Sequence, residues 1–181
     1  MGYHTDFYGA FSVTPTLNSE HRAYLEAFAT IRHMKRNTNL LADSPDPVRK
    51  AVGLPLGVEG GFYVGSTEDY GQRQTPDILN YNSPSSDQPG LWCQWTPNPS
   101  GDLIEWDGGE KFYEYIRWIH YLIDNFLKPW GYKLNGAVEW HGEERDDTGR
   151  IFIADNKVLI QNATITWDDD YDPDDEEGDH S

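Results

Sequence analysis

Six polar side chains crowd into the run VEWHGEERDD: Glu139, His141, Glu143, Glu144, Asp146 and Asp147. Carboxylates at this density can do two kinds of chemistry. Several oxygens converging on one point would hold a hard cation. Two carboxyl groups a few ångströms apart would serve a hydrolytic reaction. Glu139 and His141 are two residues apart, so in a strand they share a face, and the loop after them could fold its acids over that face. This defines an enzymatic alternative: a small metal-dependent or hydrolytic enzyme using Glu139, His141, Glu143 and Asp146. The same residues also describe a solvated hairpin loop. No H-E-x-x-H zinc spacing accompanies them, and the sequence assigns neither metal nor cofactor.

Other chemical signatures are missing or broken. Asp168, Asp170 and Asp172 match the first ligands of a calcium-binding EF-hand loop, but Pro173 stands where glycine is needed and Asp179 where the bidentate glutamate belongs. There is no G-x-S-x-G elbow, phosphate-binding P-loop or G-x-G-x-x-G fingerprint. Cys93, the one cysteine, lies in the aromatic run LWCQW and reads as a buried structural thiol. It excludes an intrachain disulfide. Among the histidines, His21 and His33 read as surface helix residues and His120 as a core or boundary one.

Charge narrows the partners. The chain carries −17 in 181 residues; nine of its 31 acids and none of its 14 basic residues lie between Asp168 and Ser181, leaving the body at −8. An acidic body repels phosphate backbones and anionic lipid, and attracts a basic protein. Direct nucleic-acid or membrane binding is therefore not expected, and no apolar run approaches the ~18 residues of a membrane span. With no signal-like opening, the expectation is a cytoplasmic protein. Aromatic residues make up 14% of the chain, with 7 Trp. Trp92 and Trp95 project from opposite faces of one strand, so one of them must pack beneath other chain or form an exposed patch. Trp92, Glu143, Glu144, Asp146 and Asp147 are the expected binding residues of an acidic, aromatic-rich surface.

The elements that position these groups follow from periodicity. Alternation over Tyr3–Val13 predicts a strand that Thr14-Pro15 ends. Asn18 as N-cap opens a helix with Tyr24, Leu25, Phe28, Ile31 and Met34 on one face and His33, Lys35 and Arg36 in its last turn. Residues 37–90 lose periodicity and carry six prolines from Pro45 to Pro89. Their tyrosines argue for an ordered, irregular insertion, with a short helix at Pro47–Val52 and a short strand at Gly61–Val64. Leu91–Thr96 and Leu103–Trp106 form a hairpin. Asp107 and Glu110 form a capping box for the strongest helix, Glu110–Lys128, with Phe112, Ile116, Ile119, Ile123 and Phe126 as its apolar stripe. Strands follow at Tyr132–His141, Arg150–Ala154 and Lys157–Gln161, the last two joined at Asp155-Asn156, with Ala163–Trp167 extending the sheet. The expected fold is α+β: an antiparallel sheet with two main helices on one face, a single domain over 1–167, and a disordered acidic tail over 168–181.

The opening MGYHTDF, the block LWCQW, the block EWDGGEKFYEYIRWIHYLIDNFLKPWGY and the block VEWHGEERDDTGRI together resemble a family of small acidic proteins of bacteria and their phages. The resemblance covers nearly the whole chain up to about Asn156. It implies a single cytosolic domain and transfers no catalytic residue. Together with the charge and the aromatic surplus, it favours a non-enzymatic interaction protein of the inhibitor, immunity or phage anti-defence type that binds a basic partner. Nucleic-acid mimicry is the weaker form of that reading, since −8 is modest and the main helix carries mixed charge. A structural or virion-associated subunit is a third reading, and the oligomeric state is left open.

Overall fold

The computed structural model describes residues 2–66 and 68–167, so the acidic tail and its aspartate spacing lie outside the described residues. The architecture is α+β. In chain order the elements are β1 (Thr5–Thr14), α1 (Ser19–Thr30), β2 (Lys35–Arg36), α2 (Thr38–Leu41), α3 (Pro47–Ala51), β3 (Ile78–Asn80), β4 (Trp95–Pro97), β5 (Leu103–Trp106), α4 (Tyr115–Leu122), β6 (Lys133–Gly142), β7 (Thr148–Ala154) and β8 (Lys157–Asn162). Six strands make one antiparallel sheet in the order β4-β5-β1-β6-β7-β8, and β2 pairs with β3 in a separate ribbon. Among the described residues no helix is long and apolar enough to cross a membrane.

One face of the sheet is the core. Phe7, Phe11 and Val13 of β1 point inward with Leu134, Val138 and Trp140 of β6 and Ile151 and Ile153 of β7, as strand alternation requires. Against them pack Tyr24, Leu25 and Phe28 of α1, and Trp118, Ile119 and Leu122 of α4. Helix α4 continues as a π-helical turn over Ile123–Leu127. This turn seats Phe126 edge-on to Tyr24, Phe28 and Phe62 at ring distances of 5.2, 5.2 and 5.3 Å. Trp95 plays the same role at the other end, against Phe7, Phe11 and Phe112. Aromatic pairs of this kind each add roughly 0.5–1.5 kcal/mol beyond the area they bury. The apolar stripe expected of the main helix is therefore the core, with Ile116 only partly covered.

The insertion is ordered by polar contacts as much as by apolar ones. Two ion pairs are buried in it: Arg36 Nη1 with Asp77 Oδ2 at 2.7 Å and Arg49 Nε with Asp46 Oδ2 at 2.5 Å. The Arg36 guanidinium lies over the Tyr63 ring at 4.9 Å. The Tyr24 hydroxyl donates to the Phe62 carbonyl (2.9 Å), and the Gln88 side-chain amide donates to the Gly61 carbonyl (2.7 Å) and the Tyr121 hydroxyl (3.2 Å), tying the loop to α1 and α4.

Several local expectations are corrected. Helix α1 stops at Thr30 instead of reaching Met34, because the chain beyond it is recruited by distant carbonyls. The amides of Arg32, His33, Lys35 and Asn37 donate to Tyr70, Leu91, Ser83 and Asp77. His33 is consequently buried, not a surface residue, and its ring lies against Phe28 and Trp118. His120 is exposed on α4, while His21 stacks on Trp130 at 4.0 Å. Gly61–Val64 is turn and loop, the strand expected from Leu91 begins only at Trp95, and the main helix begins at Tyr115. The hairpin at Asp155-Asn156 is formed as expected, with φ of 46° and 70° at the two turn residues. Ala163–Trp167 adds only one further rung, from the Ala163 amide to the Thr148 carbonyl.

Candidate functional site

The acidic run that opens the chemistry splits across the sheet. Glu139 and His141 point out from β6 on the face away from the helices, and each side chain is about half exposed. There Glu139 takes Arg150 (3.3 Å) and His141 (3.6 Å) as its partners, with Tyr8 edge-on to His141 at 5.2 Å. The loop acids do not fold over them. Asp147 turns to the inner face, where Oδ1 accepts from the indole N–H of Trp140 (3.0 Å) and Oδ2 from the Tyr3 hydroxyl (2.7 Å). Glu143 accepts the His4 backbone amide at 2.7 Å, and Asp146 stands exposed in the turn. Among the described residues no three His, Cys, Asp or Glu side chains form a group that could hold a metal ion. The cluster that a metal-dependent or hydrolytic site at Glu139, His141, Glu143 and Asp146 would need is thus not assembled. Arg150 and Glu139 form an exposed pair, and replacing Arg150 by Gln is expected to change unfolding free energy by no more than ~0.5 kcal/mol in denaturant titration.

A second group of residues does converge, around Trp92. Its partly exposed indole forms a wall of two adjoining concavities. One, about 350 Å³, is lined by Leu91, Glu110, Lys111 and Tyr113; the other, about 240 Å³, by Tyr70, Gln94, Asp107 and Gly109. Tyr70 and Tyr113 are among the most exposed rings of the protein. The wall between Asp107 and Glu114 is the segment that the capping-box pattern assigns to the helix's first turn. It is held open instead by Gln94, a buried amide. Gln94 Nε2 donates to the Glu110 carbonyl (2.8 Å), its Oε1 accepts from the Trp106 indole (3.0 Å), and its backbone carbonyl accepts the Asp107 amide (2.9 Å). Lys111 and Glu114 both sit at φ 57°. Left-handed backbone costs roughly 1–2 kcal/mol per non-glycine residue, and strain of this kind collects at functional surfaces. Asp107 has an exposed edge, yet the protein surrounding its carboxyl group desolvates it and raises its pKa against the opposing Gly109 amide bond.

This groove is continuous with the acidic loop. The Tyr3 amide donates to the Tyr113 hydroxyl (3.0 Å), and the Tyr3 hydroxyl in turn accepts the Glu144 amide (3.1 Å) while donating to Asp147. Trp92, Tyr113, Tyr3 and the Glu143–Asp147 loop therefore form one surface at one end of the sheet. Of the expected binding residues, Trp92, Glu143, Glu144 and Asp146 are open on it; Asp147 is spent on holding it together. Asp107, Tyr113, Tyr3 and Gln94 are missed by pattern reading. The available signal was Gly108-Gly109, since two glycines directly after a supposed N-cap disfavour helix.

A larger concavity, about 570 Å³, lies elsewhere, in the insertion beside Arg36, Tyr63 and Asp77. Its buried charges are already paired with each other, and Thr75 closes the pair through a hydrogen bond to Asp77. It reads as part of the insertion's framework. The fold and this surface define a class: an α+β protein with one covered and one open sheet face and an aromatic, acid-flanked groove at a sheet end. Comparison with protein-family models, curated proteins and solved structures finds no match to this chain.

Proposed function

We propose that this protein is a non-enzymatic binding protein, and that the surface running from Trp92 through Tyr113 and Tyr3 to the Glu143–Asp147 loop takes a basic segment of a protein partner. The observation that carries the reading is the placement of Trp92 between two concavities, one edged by Asp107 and the other by Glu110. An indole between two pockets gives the apolar anchor of a binding hot spot. The flanking acids, on a body of charge −8, supply complementarity to Lys or Arg. Lys111 and Arg32 border the same groove, so complementarity is local to the acids rather than a property of one uniformly negative face. An inhibitor, immunity or anti-defence role is the form of binding that the family resemblance suggests, and a cytoplasmic setting goes with it.

The test is affinity capture at low salt with wild-type protein beside Trp92→Ala and an Asp107→Asn/Glu110→Gln double variant. A basic protein is expected on the wild type. Its affinity should fall at least about ten-fold for Trp92→Ala, the loss of a ~2 kcal/mol anchor, and its salt dependence should weaken in the double variant. Capture that is indifferent to all three substitutions would remove the reading.

A further inference from the structure

The sheet has two edges, and they are treated differently. At one, β4 is three residues long and ends in Pro97, a short, proline-blunted edge of the kind that resists pairing. At the other, no strand among the described residues pairs with the outer side of β8. In a two-residue hairpin the residues flanking the turn are hydrogen bonded to each other, so the register Ala154↔Lys157, Phe152↔Leu159, Arg150↔Gln161 directs the odd-numbered residues' backbone groups toward β7. The Ala163 amide bond to Thr148 continues that parity. The amides and carbonyls of Val158, Ile160 and Asn162 consequently face outward, with no strand beside them among the described residues.

The side chains and the charge mark what fits there. From Val158 to Trp167 the sequence reads VLIQNATITW, ten consecutive residues without Asp, Glu, Lys or Arg in a chain that carries 45 charged residues of those types. Leu159, Ile165 and Trp167 are exposed along this run at 54, 40 and 72%, and Phe152 lies beside Leu159 at 41%. A basic strand would find no acid on this edge, whereas the like-charged copies of an acidic chain can approach where neither carries charge. The edge is also self-complementary. Antiparallel pairing about a two-fold axis at Ile160 sets Val158 against the partner's Asn162 and Ile160 against the partner's Ile160. That register forms about six backbone hydrogen bonds. It also aligns half-buried Val158 and Ile160 on the inner face and Leu159 with the partner's Gln161 on the outer one.

We infer that β8 is the pairing edge of a two-fold dimer of this chain, in which two six-stranded sheets join into one continuous sheet. The Trp92 groove adjoins β4 at the opposite edge and stays open in the dimer, so the inference stands apart from the binding reading. The interface is small, below the ~1,600 Å² of a standard complex, and the association is correspondingly reversible.

Sedimentation velocity of the full chain from about 1 to 300 µM tests it, together with Asn162→Pro and Leu159→Glu. The wild type is expected to shift with concentration from 20.7 kDa toward twice that mass, with a dissociation constant in the micromolar range. Asn162→Pro removes an outward amide and none of the β7 bonds, and two lost bonds per dimer weaken association about ten-fold. Leu159→Glu, at an exposed position, puts a carboxylate on each copy at the join and carries the test should the proline variant fail to fold. A wild type that remains monomeric to the highest concentration overturns the inference, as does a dimer whose stability neither folded variant changes.

Discussion

Acidification from pH 7 to pH 4 is expected to cost this protein on the order of 3 kcal/mol through His33 alone. The imidazole is buried among Phe28 and Trp118, and desolvation lowers its pKa from 6.5 to about 4. The Phe28 carbonyl at 2.8 Å opposes that shift and the nearby Arg36 charge reinforces it. The sign follows from the proton count. Above pH 6.5 neither folded nor unfolded chain protonates this ring, so its contribution is constant. Between 6.5 and about 4 the unfolded chain binds a proton that the folded chain refuses, and stability falls by about 1.4 kcal/mol for each pH unit. Below 4 the folded ring protonates too and the loss levels off. His21, also held below its ordinary value by burial, adds a smaller loss of the same sign. The isolating measurement is urea titration of wild type and His33→Gln across pH 4 to 7.5. The variant is the less stable at pH 7, since it gives up the ring contacts, and the two curves should close by about the predicted amount toward pH 4. Parallel curves would show that His33 is not the group responsible.

His33 also shows where pattern reading fails. Its neighbours Ile31 and Met34 continue the spacing of α1, so periodicity alone keeps the helix going and leaves the histidine in an exposed last turn. What ends the helix is non-local: carbonyls of Tyr70, Leu91, Ser83 and Asp77 capture the amides between Arg32 and Asn37. The same override moves the start of the main helix from Glu110 to Tyr115, where Gln94 claims the first-turn backbone. By contrast β1, α3, the β7–β8 hairpin and the core stripe were legible, because each is decided by alternation, by proline at a helix start, by turn chemistry or by apolar spacing within a few residues. The candidate site was legible in its composition and not in its assembly. Trp92 and the acids stand out by type, but the link through Tyr3 joins residues more than a hundred positions apart, and no local pattern encodes it. The two sides of the sheet separate Glu139 from Asp147 for a simpler reason. The loop between them is anchored inward, by Trp140 and Tyr3, rather than outward.

Arg49 lies inside an aperiodic, proline-rich stretch and is nonetheless buried, and the largest mutational effect is expected at its partner. Asp46 is 1% exposed; its Oδ2 accepts from Arg49 and, at 3.4 Å, from the Val64 amide. Arg49 Nη1 goes on to donate to the Leu54 carbonyl at 2.7 Å. One carboxylate thus ties the start of α3 to the loop at Tyr63–Val64, which carries the ring beneath Arg36. Asp46→Ala leaves the Arg49 guanidinium buried without a counter-charge, a change that costs about 3–5 kcal/mol. Asp46→Leu combined with Arg49→Met removes both charges, and much of that loss should return, because a buried ion pair replaced by apolar groups is often near neutral in net stability. Chemical denaturation of Asp46→Leu, Arg49→Met and the double yields the coupling directly. Limited proteolysis locates it: cleavage in the single variant should appear first between 42 and 66, while the sheet stays intact. A double variant as unstable as Asp46→Ala would mean that the insertion depends on the geometry of the charged pair and not on mere neutralisation. A single variant within about 1 kcal/mol of wild type would mean that water reaches the pair and that apolar contacts order the insertion.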